Sequence, residues 1–221
     1  IKTKSNCQVY IISSSGTTGE PKLIPISEKN LGAYIMGIKK LCKFEESDKF
    51  AQIPNLKFDI SMHDIFLSFY HKGTIIPFDS KLAKLSGRFL DRLGVNHIMC
   101  VPSFIKLALE NTKVKFNNVK NIFLAGEALR CDIAINTLKS FPKASCFNIY
   151  GPSECAIGVM AYKFDKSNLK DCQSQVPIGN TISKTFAKLS KDGELLVKGE
   201  QVFEGYLSET PSPFCKVEKE N

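Results

Sequence analysis

The chain has 221 residues, 43% of them hydrophobic, which is enough for the core of one large domain and excludes a disordered protein. Its formal net charge is +8, but it has no long run of like charges and no basic stripe interleaved with aromatic residues. This pattern argues against a nucleic-acid-binding module and leaves a weak bias toward acidic partners. No apolar run approaches the ~20 residues that cross a bilayer.

Short β-rich runs alternate with helical patterns, which predicts an α/β fold with a mostly parallel sheet flanked by helices. We predict that Ser27 caps a first helix, and that Ser61 caps a second helix that stops at Gly73. The strands are predicted at residues 9–12, 23–26, 49–53, 74–78, 96–101, 119–124 and 144–149. Further helices are predicted at 82–93, after Pro102 and around 132–138.

The character of the sequence changes near residue 176, where strands are predicted at 194–198 and 201–206 around Gly199. We therefore predict an α/β core over residues 1–175 and a small β-rich segment of the same domain over 176–207. The tail over 208–221 carries prolines and then charges, and we expect it to be poorly ordered.

The eight cysteines indicate a reduced protein. No two of them form a Cys-x-x-Cys pair, so the usual zinc and redox spacings are missing. Most lie in apolar stretches such as 97–100, where a free cysteine behaves as a small hydrophobic residue. Since no apolar signal segment follows the starting Ile-Lys-Thr-Lys, we expect a cytoplasmic protein.

A loop rich in hydroxyl residues and glycine, residues 13–22, follows the first predicted strand. Gly16 and Gly19 allow backbone N–H groups to approach an anion closely, the hydroxyls add donors, and Lys22 adds a positive charge. The spacing does not fit a Walker A loop. A flexible linker is the alternative, but the position between two apolar strands favours a phosphate cradle.

A series of motifs, taken in order, resembles the adenylate-forming superfamily of acyl-CoA synthetases, luciferases and peptide-synthetase adenylation domains. The motifs are the 13–22 loop, Phe58-Asp-Ile-Ser61, Asn148-Ile-Tyr-Gly-Pro-Ser-Glu154, and Gly193-Glu-Leu-Leu-Val-Lys-Gly199 followed by Gly205-Tyr206. Three shorter runs, Val101-Pro-Ser-Phe, Ala125-Gly-Glu127 and Phe141-Pro-Lys-Ala144, are most similar to the amino-acid-activating D-alanine–carrier protein ligases. The resemblance implies the fold of the large N-terminal domain of such an enzyme.

The resemblance implies that ATP and Mg2+ are the cofactors. Tyr150 offers an aromatic face for adenine, and Glu154 offers a hard oxygen ligand for Mg2+. Alternatives are that Tyr150 anchors a turn, that Glu154 is a solvated carboxylate, and that Glu127 is a helix N-terminal charge. The predicted phosphate contacts are Ser14, Ser15, Gly16, Thr17, Thr18, Gly19, Lys22 and Ser153. The predicted adenine contacts are Ala125, Gly126, Glu127, Asn148, Tyr150 and Gly151.

Asp59 carries the prediction of an amino-acid substrate. In amino-acid-activating members of the superfamily the matching Asp pairs with the substrate ammonium, and a buried carboxylate needs such a partner. The alternative is that Asp59 caps a helix. The other predicted substrate contacts are Ile60, His63, Met99, Phe123, Ala125, Ile149, Ile157 and Gly158. Among these, His63 either contacts a polar substrate side chain or is hydrogen-bonded on a helix, and Ala125 stands where D-alanine ligases usually have Cys.

We therefore expect AMP-forming activation of an amino acid and its transfer to the phosphopantetheine thiol of a carrier protein. An acyl- or aryl-CoA ligase is the alternative, against which Asp59 argues. A non-catalytic nucleotide-binding remnant is a second alternative, against which the 13–22 loop argues. The resemblance also implies a Thr-Gly-Asp motif after Tyr206, a small domain with a catalytic Lys, and the first part of the large domain. The sequence carries none of these, so we expect an internal fragment with little adenylation activity of its own.

Overall fold

A seven-stranded sheet and two antiparallel ribbons form the framework of the computed structural model, which describes residues 7–14, 21–78, 90–110 and 114–207. Within these residues the strands are β1 (Gln8–Ser14), β2 (Lys22–Ser27), β3 (Lys49–Gln52), β4 (Thr74–Pro77), β5 (His97–Cys100), β6 (Asn121–Ala125), β7 (Ser145–Tyr150), β8 (Met160–Phe164), β9 (Asn180–Thr181), β10 (Thr185–Leu189) and β11 (Leu195–Gly199). The helices are α1 (Glu28–Leu41), α2 (Ser61–Tyr70), α3 (Pro102–Leu109) and α4 (Cys131–Ser140). Most of the helix predicted at 82–93 lies outside the described residues.

The large sheet has the order β4-β3-β5-β6-β7-β8-β9. The pairs from β4 through β7 are parallel, and β8 and β9 are antiparallel additions at one edge, which confirms the prediction of a mostly parallel sheet. β1 and β2 form a separate antiparallel ribbon, and only seven residues separate the end of β1 from the start of β2 along the chain. β10 and β11 form the second ribbon.

Alternating side chains of the central strands enter two cores, one on each face of the sheet. Ile98 and Ile122 belong to the core that contains α3 and α4 residues. Met99 and Phe123 belong to the core that contains residues of α1, α2 and β2. Successive side chains of a strand point to opposite faces, so both faces are covered and these two strands are apolar after their first residues, His97 and Asn121.

The predicted helix starts were partly right. Ser27 is the N-cap of α1 and forms a reciprocal capping box with Asn30, as predicted. The prediction that Ser61 caps α2 was wrong, because residues 58–60 already turn and Ile60 is the N-cap, so that the Ser61 hydroxyl donates to the Phe58 carbonyl at 2.7 Å.

The stop of α2 and the last predicted strand also differ from expectation. Lys72, with φ 54°, adopts the left-handed conformation after α2, whereas Gly73 is needed because a Cβ there would lie 2.7 Å from the Asp48 carbonyl oxygen. Residues 201–206 are not a strand, since the Val202 N–H closes a turn onto Gly199 and the Phe203 N–H donates to the Glu154 carbonyl. These groups are therefore not available for sheet pairing.

The expectation of a fully reduced protein was wrong for one pair of cysteines. Cys131 and Cys172 form a disulfide across 41 residues. The segment that carries Cys172 returns to α4, where the Cys131 N–H donates to the Ser174 carbonyl at 3.0 Å. The free cysteines among the described residues are Cys7, Cys42, Cys100, Cys146 and Cys155. Within the same residues, no helix is both long and apolar enough for a membrane span.

A buried polar network joins the amino ends of β3, β5 and β6. Asp48, 1% exposed, accepts hydrogen bonds from Lys120 Nζ at 2.6 Å and from His97 Nε2 at 2.8 Å. Asn121 Nδ2 donates to the other ring nitrogen of His97 at 3.1 Å. Burial by itself raises the pKa of Asp48, but the hydrogen bonds from Lys120 and His97 outweigh it and lower that pKa.

Candidate functional site

The predicted site residues converge at the carboxyl ends of the parallel strands, opposite that network. Ala125 and Tyr150 are the last residues of β6 and β7, and Ala125 lies beside Ile149 in the register of the two strands. In open α/β sheets, ligands bind at this edge. The fold therefore places the motifs where a substrate pocket is expected.

Asp59 is the most informative side chain at this edge. It is 7% exposed, and its Oδ2 is buried without a hydrogen-bond partner among the described residues. Burial raises its pKa, partly offset by hydrogen bonds from the Ser153 side chain and from the backbone of Ile60 and Ile157. Because Ile60, not Asp59, is the N-cap of α2, the helix-cap interpretation of Asp59 was wrong. The structure thus brings the predicted substrate group and the predicted phosphate contact Ser153 together.

The loop that follows β7, residues 151–159, is tightly folded. A Cβ on Gly151 would lie 2.6 Å from the Gly158 Cα, so that the two ends of the loop approach each other as only glycine permits. Between them, Ala156 and Ile157 have φ values of 51° and 73°. Left-handed conformations in non-glycine residues are costly and are held by their surroundings, often at functional sites.

Glu154 lies in this loop and accepts hydrogen bonds from two residues near the end of the described part of the chain. The Tyr206 hydroxyl donates to Glu154 Oε1 at 2.8 Å, and the Phe203 N–H donates to the Glu154 carbonyl at 2.8 Å. Burial, the hydrogen bond and the Glu154 charge raise the pKa of Tyr206 to about 12, so the hydroxyl stays protonated and donates. Lys22 Nζ lies 5.3 Å from the centre of the Tyr206 ring. Lys22 and Glu154 therefore both contact Tyr206.

The chemistry of Glu154 fits a magnesium ligand. Mg2+ is usually bound by one or two carboxylates plus phosphate oxygens and water. No group of three or more His, Cys, Asp or Glu side chains that could hold a metal occurs in the described part of the chain. A metal on Glu154 would therefore need its remaining ligands from a nucleotide and water.

Tyr150 and Gly126 border the predicted adenine site. Tyr150 is 39% exposed at the end of β7, so part of its ring faces away from the core. Gly126 follows β6 with φ 82°, and a Cβ there would lie 3.4 Å from Val101 Cγ1. An exposed aromatic face beside a closely packed backbone turn suits a stacked planar ring.

Asn148 and Glu127 both make hydrogen bonds within the fold, to partners that the sequence did not identify. Asn148 is 4% exposed, and its Nδ2 donates to the carbonyls of Val176 at 3.2 Å and Pro177 at 2.9 Å. Glu127 accepts from both the backbone N–H and the hydroxyl of Ser103, at 2.9 Å and 2.7 Å. Glu127 thereby caps the first turn of α3, which agrees with the helix-charge alternative. Their adenine contacts remain predictions.

The predicted side-chain pocket is apolar. Met99, Phe123, Ala125, Ile149, Ile157 and Ile60 all belong to one buried core. Gly158 lies against Ile149, since a Cβ on Gly158 would clash with the Ile149 side chain. The structure thus brings these predicted substrate contacts together, and their contact with a substrate stays a prediction.

His63 is the polar member of this group and is fully buried. Its Nδ1 is 2.7 Å from the Tyr34 hydroxyl, and its ring centre is 4.6 Å from that of Phe123. Burial lowers the pKa of His63 to about 3, so the ring is neutral. The hydrogen-bonded alternative agrees with the bond to Tyr34. The Nε2 atom has no partner among the described residues.

The phosphate loop lies mostly outside the described residues, which leave out Ser15, Gly16, Thr17, Thr18 and Gly19. Its two ends are described. Ser14 ends β1 and pairs in register with Lys22, which begins β2. The two described ends of the loop therefore lie side by side at one end of the ribbon, and the phosphate contacts remain predictions.

Sequence reasoning missed two side chains that border the site. Tyr10 is stacked on Phe66, and burial, followed by the charge of Asp59, raises the pKa of its unpartnered hydroxyl. Gln201, fully buried, donates to the carbonyls of Cys155 and Gly158. No local pattern marks Gln201, because these two carbonyls lie more than forty residues away in the sequence. Tyr10 could have been found from the alternation of β1.

The family model of AMP-binding enzymes matches residues 2–207. The chain belongs to this family. Among curated relatives, the D-alanine–D-alanyl carrier protein ligase of Lacticaseibacillus rhamnosus is 30% identical over 215 residues, covering 90% of this chain and 42% of the relative. The ligase of the same name from Staphylococcus epidermidis is 29% identical, covering 92% of this chain and 43% of the relative. The chain thus spans less than half the length of these relatives.

Solved structures with the same fold include adenylation domains. The Vibrio cholerae adenylation domain AlmE, solved with glycyl-adenosine-5'-phosphate, has a TM-score of 0.83 at 28% identity, covering 93% of this chain and 42% of that chain. The nonribosomal peptide synthetase FmoA3 also has a TM-score of 0.83, over 93% of this chain and 23% of that one. At 16% identity, that second likeness shows the fold alone. Both support the α/β assignment made from the sequence.

Proposed function

We propose that the protein containing this chain activates an amino acid as its aminoacyl-adenylate, consuming ATP and releasing pyrophosphate. The observation that carries the proposal is the buried Oδ2 of Asp59, which has no partner among the described residues and whose pKa is raised by burial. A substrate ammonium would supply the missing positive partner and favour the ionised carboxylate. A fatty or aryl acid brings no such charge.

In the proposed reaction an oxygen of the substrate carboxylate attacks the α-phosphorus of ATP. A carboxylate–phosphorus bond forms, the bond from that phosphorus to the bridging oxygen breaks, and pyrophosphate leaves with the bonding electrons. Catalysis of this kind is mainly positioning and electrostatic stabilisation. The chain's own residues therefore act by holding the two substrates in line.

The residues have separate roles in this proposal. Asp59 fixes the ammonium, so that the substrate carboxylate points toward the nucleotide. Tyr150 stacks on adenine, and the 13–22 loop with Lys22 holds the β- and γ-phosphates, with Ser153 as a further donor. Mg2+, when bound, neutralises phosphate charge, and Glu154 fits it as a ligand. The apolar character of the residues around Ala125 suits a small or medium side chain.

The proposed acceptor is the phosphopantetheine thiol of a carrier protein. Two relatives are named as D-alanyl carrier protein ligases, and the net charge of +8 is compatible with an acidic partner. Because the chain spans less than half of those relatives, we propose that full activity needs a longer form of the protein. Dependence on ATP fits the cytoplasmic location expected from the sequence.

The test is ATP–pyrophosphate exchange by the longest natural form of the protein that contains these residues. The panel holds both enantiomers of the common amino acids, together with fatty and aryl acids. We expect exchange with one amino acid or a few similar ones. Exchange only with acids that lack an amino group would overturn the proposal in favour of an acyl- or aryl-CoA ligase. No exchange with any acid would favour the nucleotide-binding remnant.

A further inference from the structure

Gln201 is a buried polar side chain that connects the β10–β11 ribbon to the 151–159 loop. It is 0% exposed and follows β11 by two residues. Its Nε2 donates to the Gly158 carbonyl at 2.7 Å and to the Cys155 carbonyl at 3.3 Å. A buried amide that satisfies two loop carbonyls fixes the position of the loop, because leaving those carbonyls unpaired is costly.

The other end of the Gln201 amide is also held. Its Oε1 accepts from the Ser183 hydroxyl at 2.7 Å, and the Thr185 hydroxyl lies 3.4 Å away. These hydroxyls can donate to an oxygen, which assigns the amide orientation and directs the NH2 group to the loop. Gln201 is therefore an oriented bridge rather than a freely rotating side chain.

The loop that Gln201 hydrogen-bonds contains two residues with left-handed backbone conformations, and part of it lies next to Asp59. Ala156 and Ile157, between the two gripped carbonyls, have positive φ values. The Ile157 backbone hydrogen-bonds to Asp59 and lowers its pKa against the effect of burial. A strained segment keeps its conformation only when its surroundings hold it, and the bonds from Gln201 are such a constraint.

We propose that Gln201 is a positioning residue for amino-acid binding: it holds residues 155–158 so that the Ile157 backbone supports the ionised form of Asp59. The inference rests on the proposed function and deepens it. Gln201 does not contact the substrate itself. Without it, residues 156–157 relax from their left-handed conformation, Asp59 loses a hydrogen bond, and the ammonium is held less well.

The test uses Gln201→Met, which keeps the length of the side chain and removes both hydrogen-bonding ends. We expect the KM for the amino acid in ATP–pyrophosphate exchange to rise about tenfold, and the KM for ATP to change less than about twofold. A general loss of folding would instead lower the maximal rate and leave both KM values unchanged. Ser183→Ala, which frees only one end of the amide, is expected to raise the amino-acid KM by about threefold.

The matched control is Thr137→Val in α4. Thr137 is also fully buried, and its hydroxyl donates to the Ile133 carbonyl at 2.8 Å, remote from the loop. We expect a similar loss of stability in denaturation and an unchanged amino-acid KM. An unchanged amino-acid KM in Gln201→Met, or an equal rise in the KM of both substrates, would overturn the inference alone. Absence of amino-acid-dependent exchange in the unmutated protein would overturn the proposed function and the inference with it.

Discussion

Buried polar groups at the two ends of the parallel sheet differ in whether they have hydrogen-bond partners. At the amino ends, the carboxylate of Asp48 is bonded to both His97 and Lys120. At the carboxyl ends, Asp59 Oδ2 and the Tyr10 hydroxyl are buried and have no hydrogen-bond partner in the part of the chain that is described. The Asp48 pKa is lowered, and the Asp59 pKa is raised.

We propose that this difference separates a carboxylate that stabilises the fold, Asp48, from one that binds a ligand, Asp59. Buried polar atoms are nearly always hydrogen-bonded, and an exception calls for an explanation such as a missing ligand. The partners of Asp48 are complete within the fold, so its contribution is to stability. Asp59 lacks a positive partner, so its ionised carboxylate is favourable in this buried position only when a cation binds beside it. Replacing each carboxylate should therefore give opposite patterns of effect.

The largest effect is expected for Asp59→Ala. Removing one partner of a buried charge pair costs several kcal/mol of binding, so we expect kcat/KM for the amino acid to fall about a thousandfold, or about 4 kcal/mol. ATP–pyrophosphate exchange on the longest natural form measures it.

The matched control for that variant is Asp64→Asn. Asp64 is another buried carboxyl without partners in the described structure, but burial holds its pKa well above the usual range, which favours the neutral form, and it is absent from the predicted substrate contacts. We expect its kcat/KM to stay within about threefold of the unmutated value. Equal losses in the two variants would contradict the assignment of the ammonium to Asp59.

The second effect is on stability, in Asp48→Ala. The substitution leaves His97 and Lys120 without their shared carboxylate, and breaking a buried pair in this way costs about 3 kcal/mol of unfolding free energy. Urea denaturation measures the loss. Because the network lies at the far end of the sheet, we expect an unchanged amino-acid KM. A raised KM would mean that the Asp48 network influences substrate binding at the opposite end of the sheet.

The comparison also indicates how far sequence reasoning reached. Periodicity and capping predicted the mostly parallel sheet and the start of α1 at Ser27, because those signals are local. Sequence reasoning missed the Cys131–Cys172 disulfide and did not identify Ser103 as the partner of Glu127, because in both cases the partners are brought together only by tertiary packing. The motifs predicted residues that the fold gathers at the carboxyl ends of the parallel strands, but whether a buried group has a hydrogen-bond partner depends on the three-dimensional structure.

The third effect is a pH-dependent gain in stability for Asp59→Asn. The folded pKa of Asp59 is raised above its unfolded value, so its contribution to stability is present below the unfolded pKa and is lost as the pH rises through the folded pKa. The amide avoids that loss, and we expect about 1 kcal/mol of added unfolding free energy at neutral pH, vanishing below pH ~4. Denaturation at both pH values measures the gain, and a less stable amide variant at neutral pH would mean that Asp59 is paired in the free protein.

The smallest effect is expected for Tyr206→Phe, which tests whether the hold on Glu154 serves the metal. The variant keeps the ring near Lys22 and removes only the hydroxyl that donates to Glu154 Oε1. A carboxylate that loses this bond is less well oriented, so we expect the Mg2+ concentration for half-maximal exchange to rise about threefold, with an unchanged amino-acid KM. Tyr162→Phe is the control, because Tyr162 packs against the other core. An unchanged Mg2+ requirement in Tyr206→Phe would mean that the Tyr206–Glu154 hydrogen bond only stabilises the fold. Glu154 would then resemble Asp48, whose carboxylate is bonded by groups of the protein itself.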